Sequence, residues 1–429
     1  MAKSKVAILR TSPRTVTEDY HRLMNLAGYQ EVVDKSADTA LKMNISWHFF
    51  YPGSSTTPWQ MDGVVKAMLK DGYSKDLIHA CNNRTVVIDA HLGERENKHI
   101  DVVNAHGLRN VHLYEGNEEW IDVRDAVGDL TKKFLCLNEV YPKGFSIPKR
   151  FIGENIIHLP TIKTHIFTTT TGAMKNAFGG LLNEHRHWTH PVIHETLVDL
   201  LMIQNKIHKG VFAVMDGTFV GDGPGPRCMI PHCKNVILAS SDQVAIDALA
   251  GKLMGFDPLT DLKFVRLGHE LGLGCGDVRD IEIVGDLDAA EENWNFEGPF
   301  KNMTFASKNQ HRIYWGPLKG PIEWSLKTWV APWAYLASVT YHDMFWYPRF
   351  AKEKIAPIIE SDWGKLFANW GKVASDERGF PDVGEANPEL VQIGVKHFLE
   401  GARLMGMSIA ESPEIQARQR RAQLRSDHH

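Results

Sequence analysis

The stretch Ile156–Leu182, IIHLPTIKTHIFTTTTGAMKNAFGGLL, decides how the whole chain is read. It opens with a short apolar run closed by Pro160, the pattern of a buried strand. Lys163 and His165 follow two residues apart, so an extended backbone points both to the same side. Thr168 to Thr171 and Gly172 form a polar turn, and AMKNAFGGLL, which carries Lys175 and Asn176, reads as a helix. A polar turn feeding a helix N-terminus leaves backbone N–H groups unpaired at the positive end of the helix dipole. That combination predicts a seat for an anion. The competing reading is a solvated turn with surface lysines.

Working outward, the same alternation recurs. Val6–Leu9 is a first strand, and Val16–Leu26 has helical character up to Gly28. Leu41–Phe50 is partly extended, with Lys42 and Asn44 on one face. Ser54–Pro58 carries good N-cap chemistry ahead of the helical spacing of Met61–Leu69. TVVIDA, Thr85–Ala90, reads as a buried strand that delivers Asp89 and His91, and Val111–Tyr114 as another. Beyond the central stretch, Ile193, Leu197, Leu200 and Leu201 mark one face of a helix over Pro191–Gln204. Val211–Met215 is a strand ending in Asp216, and Val236–Ala239 is the next. Asp242 opens a helix to Met254, and Ile281–Val284 closes the series. Strands separated by helices predict an α/β fold with a mainly parallel sheet flanked by helices. Ligands collect beyond the carboxyl ends of such strands, where His91, Lys163, His165 and Asp216 are expected.

The 429 residues allow one to three domains. The 43% hydrophobic and 23% charged residues are ordinary for a globular chain, and a net charge of -4 argues against bulk nucleic-acid binding. MAKSKVAILR enters a strand pattern without the signature of a signal peptide. Five scattered cysteines fit a reducing cytoplasm better than a disulfide scaffold. The reading divides the chain into an α/β core over 1–286, a polar linker over 287–312 and a Trp-rich helical region over 313–429. No apolar run reaches the ~20 residues that span a bilayer. Trp329–Trp346 comes nearest, but Pro332, His342 and Asp343 interrupt it. Its rings suit a lid over the site, a partner's surface, a membrane surface or simple core packing, and peripheral membrane contact is not the favoured choice. The tail from Glu414, with Arg418, Arg420, Arg421 and Arg425, reads as a solvated helix end.

Several clusters carry chemistry. A lysine near another cation and partly desolvated can serve as a base or nucleophile, which makes Lys163 and Lys175 candidates, and His165 can act as acid, base or metal ligand. The plainer alternative is that both lysines neutralise a bound carboxylate or phosphate. His190 and His194 have the i, i+4 spacing of helical metal ligands, although the zinc-protease pattern is absent. Arg186 offers a planar fork for a carboxylate or phosphate. Gly221–Pro226 lacks the spacing of a dinucleotide fingerprint and reads as a rigid loop that lets backbone approach a ligand. Cys228, His232, Cys233 and Cys275 are candidate cluster ligands, but no C-x2-C repeat supports an iron–sulfur cluster within this chain.

The pattern P-x-x-K-T-H followed by T-G-A-x-K-N-x-F-G resembles the core signature of the domain-of-unknown-function family 362. The resemblance extends to Lys42-Met43-Asn44, to Thr56-Thr57-Pro58 with its helix, to Asp216-Gly217 with Gly221-Asp222-Gly223-Pro224, and to Asp242–Gly255. It implies a shared fold and site rather than a reaction, and members fused to a ferredoxin-like module make a separate ferredoxin-like electron donor an expected partner. On this basis Lys163, His165, Lys175 and Asp216 are the expected catalytic residues. Lys42, Asn44, Thr57, Thr171, Gly172, Asn176, Arg186, His190 and Gly223 are expected to bind substrate. His190 and His194 are the expected ligands of a divalent metal. The expected function is an enzyme for a small anionic substrate, of oxidoreductase or isomerase-like type, working by redox or acid–base chemistry at carbon. The alternative is a cofactor-binding or maturation protein that docks a partner through the Trp-rich region.

Overall fold

The computed structural model describes residues 4–371 apart from 84, 86, 117, 183, 318 and 327–331. Trp329 and the arginine-bearing tail therefore lie outside the described residues. Twelve strands run in chain order: β1 Lys5–Arg10, β2 Thr39–Met43, β3 Ile78–Asn82, β4 Arg109–His112, β5 Trp120–Asp122, β6 Ser146–Pro148, β7 Asn155–Leu159, β8 Thr161–His165, β9 Thr169–Thr171, β10 Val211–Asp222, β11 Ile230–Ser240 and β12 Glu282–Gly285. Ten of them form one sheet in the order β12-β1-β11-β10-β7-β2-β3-β4, with β8 on β10 and β9 on β8; β5 and β6 pair separately. The run β10-β7-β2-β3-β4 is parallel throughout. The antiparallel pairs in the large sheet are those of β11 with β1 and β10, and of β9 with β8. The sheet is thus mainly parallel and flanked by helices, an α/β fold.

Both faces of the sheet are covered, which is why its central strands are apolar without a polar face. Along β10, Val211, Ala213 and Met215 enter one hydrophobic cluster, while Phe212 and Val214 enter the other. Ile156 and Ile157 of β7 divide in the same way, the period-two alternation of an extended chain. The helix Val16–Leu26 buries Val16, Tyr20, Leu23 and Met24, one stripe at helical spacing. Pro58–Lys70 starts at Thr57 with a capping box closed by Gln60, worth about 1 kcal/mol. Gln243–Met254 is capped by the Asp242 carboxylate and ends on left-handed Gly255.

Three local expectations are corrected. The strand placed at Thr85–Ala90 lies upstream, at Ile78–Asn82; the Asp89 carboxylate accepts from Leu92 N at 2.9 Å and caps a helix, Ala90–Glu96. The threonine turn is the returning arm of a hairpin, with Thr171 opposite Lys163 and Thr169 opposite His165. AMKNAFGGLL is two four-residue helices meeting at Ala177. β10 also continues past Asp216 to Asp222, bulging between Gly217 and Phe219 before it turns into β11.

The tryptophan-rich segment closes one face of this core. Trp346, Tyr347, Ile355, Trp363 and Phe367 join the cluster that holds Trp47, Trp59 and Phe212. Trp363 stacks obliquely on Trp59 with ring centres 5.2 Å apart, and Phe367 stacks on Phe50 at 3.9 Å. Polar handles fix the register: Trp47 Nε1 donates to Asp343 Oδ1 at 2.7 Å and Trp363 Nε1 to Asn235 Oδ1 at 2.6 Å. Thr340–Ala351 winds as a π-helix. Among the described residues no helix is long and apolar enough to cross a membrane.

Candidate functional site

The carboxyl ends of β2, β3, β7 and β8 open into one cavity of 480 Å³. Lys42 and Met43 end β2 in its wall with Asn44 to Ser46 after them, Asn82 and Asn83 close β3, Pro160 follows β7, and His165 closes β8. The turn joining β10 and β11 adds Pro224 to Arg227, and Arg186, His187 and His190 come from the 3-10 segment Glu184–Val192. Opposite these stand Phe305, Ile313 and Tyr314 from the helix Phe305–Trp315, with Tyr341 and His342 from the π-helix. The loop can approach this closely because of glycine. A Cβ on Gly225 would lie 1.9 Å from the Thr164 carbonyl oxygen, inside any tolerable contact. The sequence of that turn, Gly-Pro-Gly-Pro-Arg, delivers Arg227 to the wall.

Charge is the cavity's distinguishing property. Lys42, Lys175, Arg186 and Arg227 line it together with four histidines, and no aspartate or glutamate is among the lining residues described. Lys175 makes a cation–π contact with Phe178, its ammonium 5.5 Å from the ring centre. Burial and the neighbouring Arg186 guanidinium push Lys175 down to about 7. Burial pushes Lys42 down to about 8, Arg186 again opposing its charge. Arg227 Nη2 donates to Ser338 Oγ at 2.9 Å, but its Nη1, though buried, has no hydrogen-bond partner among the described residues. Thr171 Oγ1 is likewise buried and unpartnered. Buried donors without acceptors are costly, which is the condition an anionic ligand would relieve.

His165 is held well below its usual range, first by burial and then by Lys175 and His190. Its Nδ1 accepts from Phe167 N at 3.0 Å, so in the neutral ring the proton sits on Nε2. The ring in this arrangement is a hydrogen-bond donor, not a proton acceptor. His190 Nδ1 lies 3.0 Å from the Tyr314 hydroxyl. Asn176 spans the floor, donating to Lys42 O at 2.8 Å while bracketing His158 Nδ1 at 3.2 Å.

Lys42, Asn44, His165, Thr171, Gly172, Lys175, Asn176, Arg186 and His190 are brought together in the cavity wall. Lys163 stands behind that wall. Its ammonium donates to the Asn44 side-chain oxygen, to Ser54 O at 2.8 Å and to Thr161 Oγ1 at 2.7 Å, which uses all three of its protons. Burial and the Lys175 charge hold it far below the ordinary lysine value. Lys163 therefore positions Asn44 rather than facing a ligand. Thr57 is spent on the helix cap and on Asp216, and Gly223 accepts from Thr164 Oγ1 at 2.6 Å; neither lines the cavity.

Asp216, expected as the acidic member of the site, lies elsewhere. Its carboxylate accepts from Tyr20, Thr57, Trp59 and Thr218 at 2.7 to 3.1 Å and is fully buried among them. Buried carboxylates need that many donors, and Asp216 joins β10 to the helices on one face of the sheet. The expected anion seat at the turn before Ala173 is also filled from within. The Asp247 carboxylate accepts from Ala173 N at 2.6 Å and Met174 N at 3.0 Å. The helix N-terminus is thus neutralised by the protein, leaving side chains to meet an external anion. His190 and His194 do not share a helix face, because a 3-10 segment containing Pro191 ends between them and the α-helix begins at Ile193. His190 stacks on Phe178 in the cavity, whereas His194 stacks on Phe264. Cys228, Cys233 and Cys275 stand in separate surroundings: Cys228 is buried, Cys233 Sγ meets Ser361 Oγ, and Cys275 Sγ meets the Asp277 carbonyl.

Sequence reasoning missed Asn82, Asn83, His187, Arg227, Tyr314 and His342 as wall residues. Arg227 carried a signal, since it closes a glycine–proline turn already read as ligand-approaching. Tyr314 and His342 carried none, because only long-range packing brings their helices over the sheet.

The model of a domain of unknown function (DUF362) matches residues 39–252, the segment that supplies most of the cationic wall. A thylakoid-associated protein of Synechocystis sp. is 27% identical over 108 residues, which are 24% of this chain and 34% of that protein. The chain thus covers about a third of that relative's length. No solved structure matches.

Proposed function

The chain belongs to the DUF362 family, and from that premise we propose that it is an enzyme for a small carboxylate- or phosphate-bearing substrate, working by acid–base chemistry at carbon. The observation that carries this reading is the cavity wall of four cationic side chains, with no aspartate or glutamate among its described lining residues. Such a wall is repulsive when empty, and the Arg186 guanidinium opposes the charge of both buried lysines; an anion offsets that repulsion. Lys42 and Arg186 hold the anionic group, with Thr171 Oγ1 as a further donor. His165 donates through Nε2 to a substrate oxygen. Lys175, poised at about 7, exchanges a proton with the adjacent carbon.

A carrier would use the same cationic wall without turnover, and anion binding with no deuterium exchange into any carboxylate would favour it. The cysteines are all unpaired thiols, which supports a reducing, cytoplasmic setting for the reaction.

The test is isothermal titration with benzoate and with inorganic phosphate, joined to deuterium exchange into a panel of carboxylates in heavy water. The wild-type chain is expected to bind at least one of the two anions and to label a substrate at the carbon beside its carboxylate. Lys175→Met should abolish labelling, and Arg186→Gln should weaken binding by roughly tenfold. Equal binding by wild type and Arg186→Gln would refute the assignment of the anion seat.

A further inference from the structure

A second group of chemistry-bearing residues lies outside this cavity. The tetrapeptide His-Leu-x-Glu occurs twice, as His91-Leu92-Gly93-Glu94 and as His112-Leu113-Tyr114-Glu115. In each copy the leucine is anchored in the core, Leu92 at 3% exposure and Leu113 at 0%. The first copy starts the helix Ala90–Glu96 and the second leaves the end of β4, so the two histidines and two glutamates converge. Ligand atoms of His91, Glu94 and His112 all lie within 4.8 Å of one another. His112 Nε2 is 2.9 Å from Glu94 Oε1, and His91 Nε2 is 2.6 Å from Glu115 Oε1. His112 Nδ1 lies 3.8 Å from Glu115 Oε2.

Glu94 is 2% exposed, yet among the described residues none of its hydrogen bonds or ion pairs comes from a lysine or arginine. Its oxygens accept instead from His112 and from the amides of Asn82 and Asn110. A buried carboxylate needs compensating charge, and an imidazole pair beside two carboxylates supplies it best by sharing a cation. The amides are the outer support that orients a ligating carboxylate. Two imidazoles with carboxylates form the donor set of zinc and of other borderline divalent metals. Ligands about 2.0 Å from a tetrahedral ion stand roughly 3.3 Å apart; the 2.9 Å His112–Glu94 spacing would open slightly, and the wider ones, within 4.8 Å, would close onto the ion.

We propose that His91, Glu94 and His112 bind one divalent transition-metal ion of the zinc type, with Glu115 holding the His91 ring from the solvent side. His91 and Glu115 are exposed, so the ion enters from solvent without unfolding. Asn82 lines the anion cavity and also donates to Glu94, which sets the metal one hydrogen bond behind the cavity wall.

The test is calorimetric titration of the chelator-treated full chain with Zn2+. One equivalent should bind to the wild type. His91→Ala and Glu115→Gln, both surface changes that spare the core, should each weaken that binding by roughly tenfold or more. His112→Ala should abolish it, with circular dichroism checking the fold. Failure of the wild type to bind a stoichiometric ion would overturn the assignment, as would unchanged binding by His91→Ala. Loss of binding in His190→Ala but not in His91→Ala would move the metal to the cavity and also overturn it. None of these outcomes depends on the anion titration.

Discussion

Lys175 and Asp216 show how two buried charges with similar sequence settings reach opposite roles. Among the described residues Lys175 meets only a phenyl face and other cations, so they leave its charge unsupported. Its folded value of about 7 lies below the ordinary 10.5, so the unfolded chain holds a proton there that the folded chain sheds. Stability therefore falls as pH drops from about 10.5 to 7 and stays lowered below that. Lys175→Met should stabilise the protein at pH 7 by on the order of a few kcal/mol, with the gain vanishing in alkali, as chemical denaturation across pH would show. Asp216 differs in being surrounded by donors, which offset part of the burial that still pushes its carboxyl upward. Asp216→Asn turns an amide hydrogen toward those donors and should cost on the order of 3 kcal/mol while leaving anion affinity unchanged. A large loss of affinity in a still-folded Asp216→Asn would return that residue to the site.

At the scale of elements, what could be read from the sequence was what local physics determines. Asp242 caps its helix and the stripe Val16, Tyr20, Leu23 and Met24 is buried, because capping and periodicity act over a few residues. β7 and β10 were readable because strands covered on both faces are continuously apolar. The Thr85–Ala90 strand was misplaced because Val87 and Ile88 are apolar for another reason, as part of the cavity wall. The helix-terminus anion seat failed for a long-range reason: Asp247, 74 residues from Ala173, occupies it. That contact fixes Gly172, whose backbone is extended but whose added Cβ would lie 2.0 Å from the Asp247 Oδ1. Gly172→Ala should cost about 1–3 kcal/mol and weaken anion binding, because Thr171 and Lys175 flank the displaced carboxylate. Thermal unfolding and the benzoate titration, run on one sample, check both halves. The His190/His194 pair misled because i, i+4 spacing means proximity only within one continuous α-helix.

Across the whole molecule, the cavity exists because segments far apart in the chain close on the carboxyl ends of four strands. Lys42 lies in the second strand of the sequence, Lys175 and Arg186 follow the central hairpin, and Arg227 stands on the β10–β11 turn. The Trp-rich segment, anchored through Trp346, Trp363 and Phe367, adds the remaining wall with Tyr341 and His342. Burial of the cations and, after it, their mutual repulsion are the common consequence, and the lowered Lys175 value is the readable mark. An anion restores that value upward, so binding takes up a proton and affinity falls as pH rises through about 7. The most direct measurement is the titration of Lys175 by carbon-13 NMR of labelled lysines, assigned with Lys175→Met, with and without benzoate. A midpoint near 7 that rises on adding the anion is the predicted result. A midpoint at the ordinary lysine value of 10.5, unmoved by benzoate, would contradict the account.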